Sequence, residues 1–146
     1  MPLERLQSPA PPATRADLLL LCAVNETIRT IHLDWAWVVI VTNGVAGVWA
    51  LAAHRWEQAR VKPLWWLTIA AEVALFVQVI LGVILVQGRD AQPFQFHMLY
   101  GFAAAFTVGI IYSYRAQLKD HLYLLYGFGG LFLMGLVLRA VTVGPR

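Results

Sequence analysis

The sequence predicts an all-α integral membrane protein: an up-down bundle of four transmembrane helices, preceded by an amphipathic interfacial helix. Three observations carry this. Apolar stretches run over about 33–53, 64–87, 94–114 and 122–143, each close to the ~20 residues an α-helix needs to cross ~30 Å of hydrocarbon. The 146 residues are 60% hydrophobic and 13% charged, outside the range of ordinary soluble domains. The segments joining the stretches are short, so consecutive helices must be antiparallel neighbours. Helices are required because hydrocarbon gives backbone N–H and C=O groups no partner, and no ten-residue alternation points to a barrel.

Residues 1–13 are Pro-rich and aperiodic, the composition of a mobile tail. The following apolar run, Leu18–Val24, is short and lacks a small-residue cleavage pattern, so no cleavable signal peptide is expected. Over 14–32, Leu20, Leu21, Val24, Ile28 and Ile31 fall at helical spacing while Asn25, Glu26 and Arg29 face elsewhere. This is the amphipathic helix, expected in the interface before the transmembrane domain of 33–146, with a simple extension of the first span as the alternative. Trp35, Trp37, Trp56, Trp65, Trp66, Tyr114 and Tyr123 flank the spans as an interfacial belt. Arg55, Arg60, Lys62, Arg115 and Lys119 concentrate positive charge in the first and third loops. That places those loops in the cytoplasm and both termini outside, in a bacterial plasma membrane.

A net charge of +3, scattered along the chain, offers no basic run for nucleic acid. The single cysteine, Cys22, excludes an internal disulfide and every CxxC site. No HExxH, GxSxG or Walker A motif occurs, and no extramembrane segment is large enough for an ordinary active site. The expectation is therefore a protein that is not itself an enzyme.

Small residues are arranged in faces. Asn43, Gly47, Ala50 and His54 share one side of the first span, and His97, Gly101, Ala105 and Gly109 one side of the third. With Gly127 and Gly130 of the fourth span, Gly47, Gly101 and Ala105 are the expected helix-packing residues, because small side chains let membrane helices approach closely. The same glycines also leave clearance for a flat cofactor ring. An intramembrane polar cluster is expected from Glu72, Asn43 and Thr107, with Gln78 about 120° from Glu72 around its helix. Ionisable groups inside a span are costly and face the protein interior. Arg139, near the end of the fourth span, is expected to snorkel or to pair with Asp34 or Asp90.

The four histidines divide by topology into His32 and His97 at one face and His54 and His121 at the other. Two per face is the arrangement needed to hold b-type haem through axial imidazoles, with His97 and His121 the leading ligands. In this placement of histidines the chain resembles cytochrome b561-type proteins, a likeness that implies haem iron as the only bound metal. In its FHMLYGF…IYSYR and LYGFGGLFLMGLVLR segments it resembles small bacterial four-span membrane proteins, a likeness that implies no activity. Three functions stay open: an accessory or scaffold subunit of a larger membrane complex, such as a respiratory one; a haem electron carrier; and an oligomeric transporter or channel built around Glu72. The cofactors in view are b-type haem and quinone. The partners are membrane lipid and other membrane subunits or further copies of the chain.

Overall fold

A computed structural model describes residues 14–87 and 95–144. These are helical throughout apart from turns, with no strand among them: α1 Arg15–Arg55, α2 Lys62–Gln87, α3 Gln95–Tyr114 and α4 Leu122–Val143. All four helices are long and apolar enough to cross a membrane. The expected tail at 1–13 and the loop between α2 and α3 lie outside the described residues.

Helix α1 opens on a capping box. Thr14 Oγ1 accepts from the Asp17 N–H at 3.2 Å, and the Asp17 carboxylate accepts from the Thr14 N–H at 2.9 Å, so the first turn's free donors are met locally. The helix then runs 41 residues without a break, about 60 Å at the rise of an α-helix. The segment read from sequence as a separate interfacial helix is thus continuous with the first span. Nothing in Thr30–Ala36 is a Pro or Gly that would end or bend it. In its first turns Leu18–Leu21 are all more than half exposed.

At its other end α1 stops at Trp56, whose N–H reaches Ala52 O at 2.8 Å. A one-turn 3₁₀ segment, Glu57–Ala59, reverses the chain. Pro63 then sits in the first turn of α2, where its missing N–H costs nothing. A second 3₁₀ turn, Lys119–His121, leads into α4.

Contacts fix the register. Against α2, His32 meets Gln78, Trp35 meets Ala74 and Asn43 meets Ala71. Gly44, Gly47 and Leu51 of α1 meet Met134, Gly130 and Gly127 of α4 in that order, and His97 and Ile111 of α3 meet Ala140 and Gly129 of α4. Each pair is therefore antiparallel, and the bundle is up-down. Helix α4 lies most intimately on α1, and among helices adjacent in the bundle α2 and α3 touch least. The core follows: Val39, Leu75, Ala104, Val108, Leu133 and Val137 in one cluster, Ala50, Ala53 and Leu64 in a second.

The α1–α4 seam is tight because glycines line it. A β-carbon on Gly47 would stand 2.9 Å from the Gly127 carbonyl oxygen, and one on Gly127 would collide with Leu51. Across the whole fold small residues turn inward, eight alanines among the buried ones, while Val41, Trp66, Phe106, Ile110 and Phe128 turn outward. This reverses the partition of a water-soluble core and matches helices that associate by close contact rather than by hydrophobic drive.

Candidate functional site

Where α2 and α3 part, the bundle holds a cleft of about 290 Å³, walled among others by His32, Gln78, Gly82, His97, Gly101 and Phe102. Four residues with polar side chains line it: His32, Gln78 and His97, each positioned by a helix, and Gln87 at the end of α2. His32 of α1 is 8% exposed and Gln78 of α2 is 9% exposed. The Gln78 amide nitrogen donates to the His32 carbonyl oxygen at 3.0 Å and lies 3.4 Å from His32 Nε2. A carbonyl can only accept, so the amide must face it with its NH₂, which turns Gln78 Oε1 away. The second amide hydrogen is directed at His32 Nε2, leaving the imidazole proton on Nδ1. Gln78 Oε1 and His32 Nδ1 are then a buried acceptor and a buried donor without partners among the described residues. Such groups are rare because each forfeits its hydration.

His97 completes the site from α3. Its Nδ1 lies 2.9 Å from the carbonyl oxygen of Ala140, one of the last-turn carbonyls of α4 that lack an intrahelical donor. An acceptor there requires the proton on His97 Nδ1 and leaves Nε2 with its lone pair. The His32 and His97 ring centroids are 5.9 Å apart with planes at 68°. On the walls, a β-carbon on Gly101 would meet nothing within 4 Å, whereas one on Gly82 would stand 3.2 Å from His32 Cε1. Gly101 therefore keeps the cleft open rather than packing helices, as Gly47, Gly127 and Gly130 do. Ala105 packs against the main core cluster.

His54 and His121 lie at the opposite end and are both exposed. His97 and His121, the leading ligands on sequence grounds, therefore share no site; the structure pairs His97 with His32. Among the described residues no cluster of three or more His, Cys, Asp or Glu could hold a metal ion. For haem, the His97–Ala140 bond is the kind of outer contact that orients a ligating imidazole. His32 fits less well, with its Nε2 turned to Gln78, and the cleft lies at the small end of ligand sites, ~300–1,000 Å³. Its size suits a single ring better than a macrocycle.

The mid-bundle polar residues separate into parts. Asn43 and Glu72 border one void of about 10 Å³ together with Thr68 and Tyr126, while Asn43 Nδ2 donates to Val39 O at 2.9 Å. Thr107 is not in this lining; its hydroxyl donates to Ala103 O at 2.8 Å within its own helix. Gln78 belongs to the cleft instead, one and a half turns along α2. Arg139 is not paired with Asp34: it reaches Thr142 Oγ1 at 3.4 Å and lies 5.8 Å from the Tyr100 ring centroid. Asp90 falls outside the described residues.

At the opposite end an aromatic and basic cluster ties the hairpin loops together. Arg60 donates to Ala53 O at 2.9 Å and stands 5.4 Å from the Tyr123 ring centroid, and Trp65 packs on Tyr123 and Tyr126. Sequence reading did not anticipate the roles of Gly82, Ala140 or Trp35, whose indole donates to Ala74 O at 2.9 Å. Comparison with protein-family models, with curated proteins and with solved structures finds no match to this chain.

Proposed function

We propose that this chain is an integral membrane protein that holds a small, mostly apolar ligand in the His32–Gln78–His97 cleft, serving a larger membrane assembly as an accessory subunit rather than catalysing a reaction alone. The observation that carries the reading is the cleft itself, a mostly apolar hollow of about 290 Å³ with His32, Gln78 and His97 in its lining and open space beside Gly101. A few convergent polar groups in an apolar hollow are the common form of a small-molecule site. Bilayer insertion is supported by the four long apolar helices and by the outward-facing large side chains. The charge of the first and third loops orients those loops to the cytoplasm and both termini outside.

Gentle detergent extraction from the native membrane, followed by mass spectrometry of the intact protein, tests the reading. The expected result is a bound small molecule in near-stoichiometric amount, displaced in a Gly101→Leu variant that fills the cleft. A ligand-free protein from native membranes, with wild type and variant indistinguishable, contradicts it.

A second reading, haem ligated by His32 and His97, is favoured by one observation, the His97 Nδ1–Ala140 contact, which would leave Nε2 for iron. An absorption spectrum decides: a Soret band lost in both His32→Ala and His97→Ala supports haem, and a colourless protein removes it.

A further inference from the structure

We propose that the hollow between α2 and the turn joining α3 to α4 binds the headgroup of an anionic phospholipid; this rests on the bilayer insertion proposed above, not on the cleft. The hollow has a volume of about 420 Å³ and is lined by Trp65, Arg115, Ala116, Leu122 and Tyr126. It stands at the end of the bundle opposite the His32–Gln78–His97 cleft. Three features select its occupant.

First, the hollow presents a cation that no carboxylate answers. Arg115 stands 4.6 Å from the Tyr112 ring centroid, and a guanidinium over an aromatic face keeps N–H donors at its edge for a ligand. Among the described residues the ion pairs are Arg29–Glu26 and Arg60–Glu57, so none neutralises Arg115. Residues 54–62 and 115–121, which form this end, carry Arg55, Arg60, Lys62, Arg115 and Lys119 against Glu57 and Asp120. That excess of positive charge favours an anion at the membrane surface. Leu122 opens α4, whose N-cap His121 makes no side-chain capping bond, so the positive end of that helix adds to the field.

Second, the remaining walls are apolar or amphipathic. Trp65 packs on Tyr123 and Tyr126 with ring centroids 5.5 and 5.3 Å apart, and Ala116 and Leu122 contribute only hydrocarbon. A small hydrated anion gains nothing from such walls and would give up water for a single cation. A phospholipid brings a phosphate oxygen for Arg115 and glycerol and acyl carbons for the walls.

Third, the hollow lies at headgroup level. Trp66, Tyr112 and Tyr114 around it are 72%, 60% and 51% exposed, the placement of amphipathic rings at a bilayer–water boundary. A phosphate held here leaves its acyl chains in hydrocarbon along the outward faces of α2 and α3. Fixed positive charge and apolar contact then act on one molecule.

The test is native mass spectrometry of the full chain in detergent, titrated with phosphatidylglycerol or phosphatidylcholine, with inorganic phosphate as competitor. One phosphatidylglycerol should bind about tenfold tighter than phosphatidylcholine and resist excess inorganic phosphate. Arg115→Gln should erase that preference by removing a charge-assisted hydrogen bond. Arg55→Gln removes the same charge from the same end but not from the lining, and should keep it. Equal losses in the two variants, or no loss in Arg115→Gln, would overturn the site. Displacement of phosphatidylglycerol by inorganic phosphate would overturn the lipid assignment in favour of a free-anion site. Carbonate extraction of vesicles carrying the chain separates the two readings: a chain that resists extraction yet shows no lipid preference overturns the site alone, and an extracted chain overturns insertion as well.

Discussion

Gly47 of α1 and Gly130 of α4 meet backbone to backbone: a β-carbon on Gly130 would lie 3.1 Å from the Gly47 Cα and 3.0 Å from the Asn43 carbonyl oxygen. Backbone cannot rotate aside as a side chain can, so the seam tolerates no added volume. Gly130→Val should destabilise the bundle by about 1–3 kcal/mol through overpacking. Gly135→Ala, where nothing stands within 4 Å, should be neutral or mildly stabilising, since alanine is the better helix former. Thermal unfolding in detergent compares them; equal stability of the two variants would show that the close approach does not exist.

Arg60 closes the carboxyl end of α1. It donates to Ala53 O and, at 3.3 Å, to His54 O, two carbonyls of a last turn that otherwise lack donors. Arg60→Met should cost about 1 kcal/mol and speed amide exchange in the turn that follows. Arg60→Lys should recover little, because an ammonium lacks the planar fork that spans both oxygens. Full recovery by lysine would mean the charge, not the geometry, matters.

His97 performs the same service for α4 through Ala140. Replacing it with Phe removes the donor and should raise hydrogen exchange over residues 140–144, leaving the α1–α4 seam protected. His97→Asn, which keeps an N–H donor, is expected to restore part of the protection. Unchanged exchange in His97→Phe would show that the contact does not hold the helix end.

Cys22 is the chain's single cysteine and is exposed, which makes it a ready reporter of where the upper part of α1 lies. In sealed inside-out and right-side-out vesicles, a membrane-impermeant maleimide should label it from the face opposite the Arg60 and Arg115 loops. Protection on both faces until detergent is added would place this stretch inside the lipid.

The helices were readable from sequence because their cause is local: apolar runs of sufficient length, separated by polar turns, fold the same way whatever they pack against. The Gly47–Gly127–Gly130 seam was readable for a related reason, since small residues at helical spacing have one obvious use. The pairing of Gln78 with His32 was not. Counting outward from the Glu57–Ala59 turn leaves residue 78 nearly two turns short of the level of residue 32, and which face each helix presents is set by packing rather than by spacing. Thr107 does not line the void that Asn43 and Glu72 share; its hydroxyl bonds back to Ala103 O within its own helix, a local contact that spacing in the sequence does not reveal. The unbroken course of α1 past His32 was obscured by polar residues, which signal an interface but do not stop a helix.

The sparse contact between α2 and α3 has a mechanical meaning. Helix α3 is held mainly by α4 and only lightly by α2, like a door hung on one side with a light catch on the other. Residence time of anything behind it would then be governed by how far the surrounding acyl chains let the door move. A thicker or more ordered bilayer should slow exchange without altering the grip of the atoms inside.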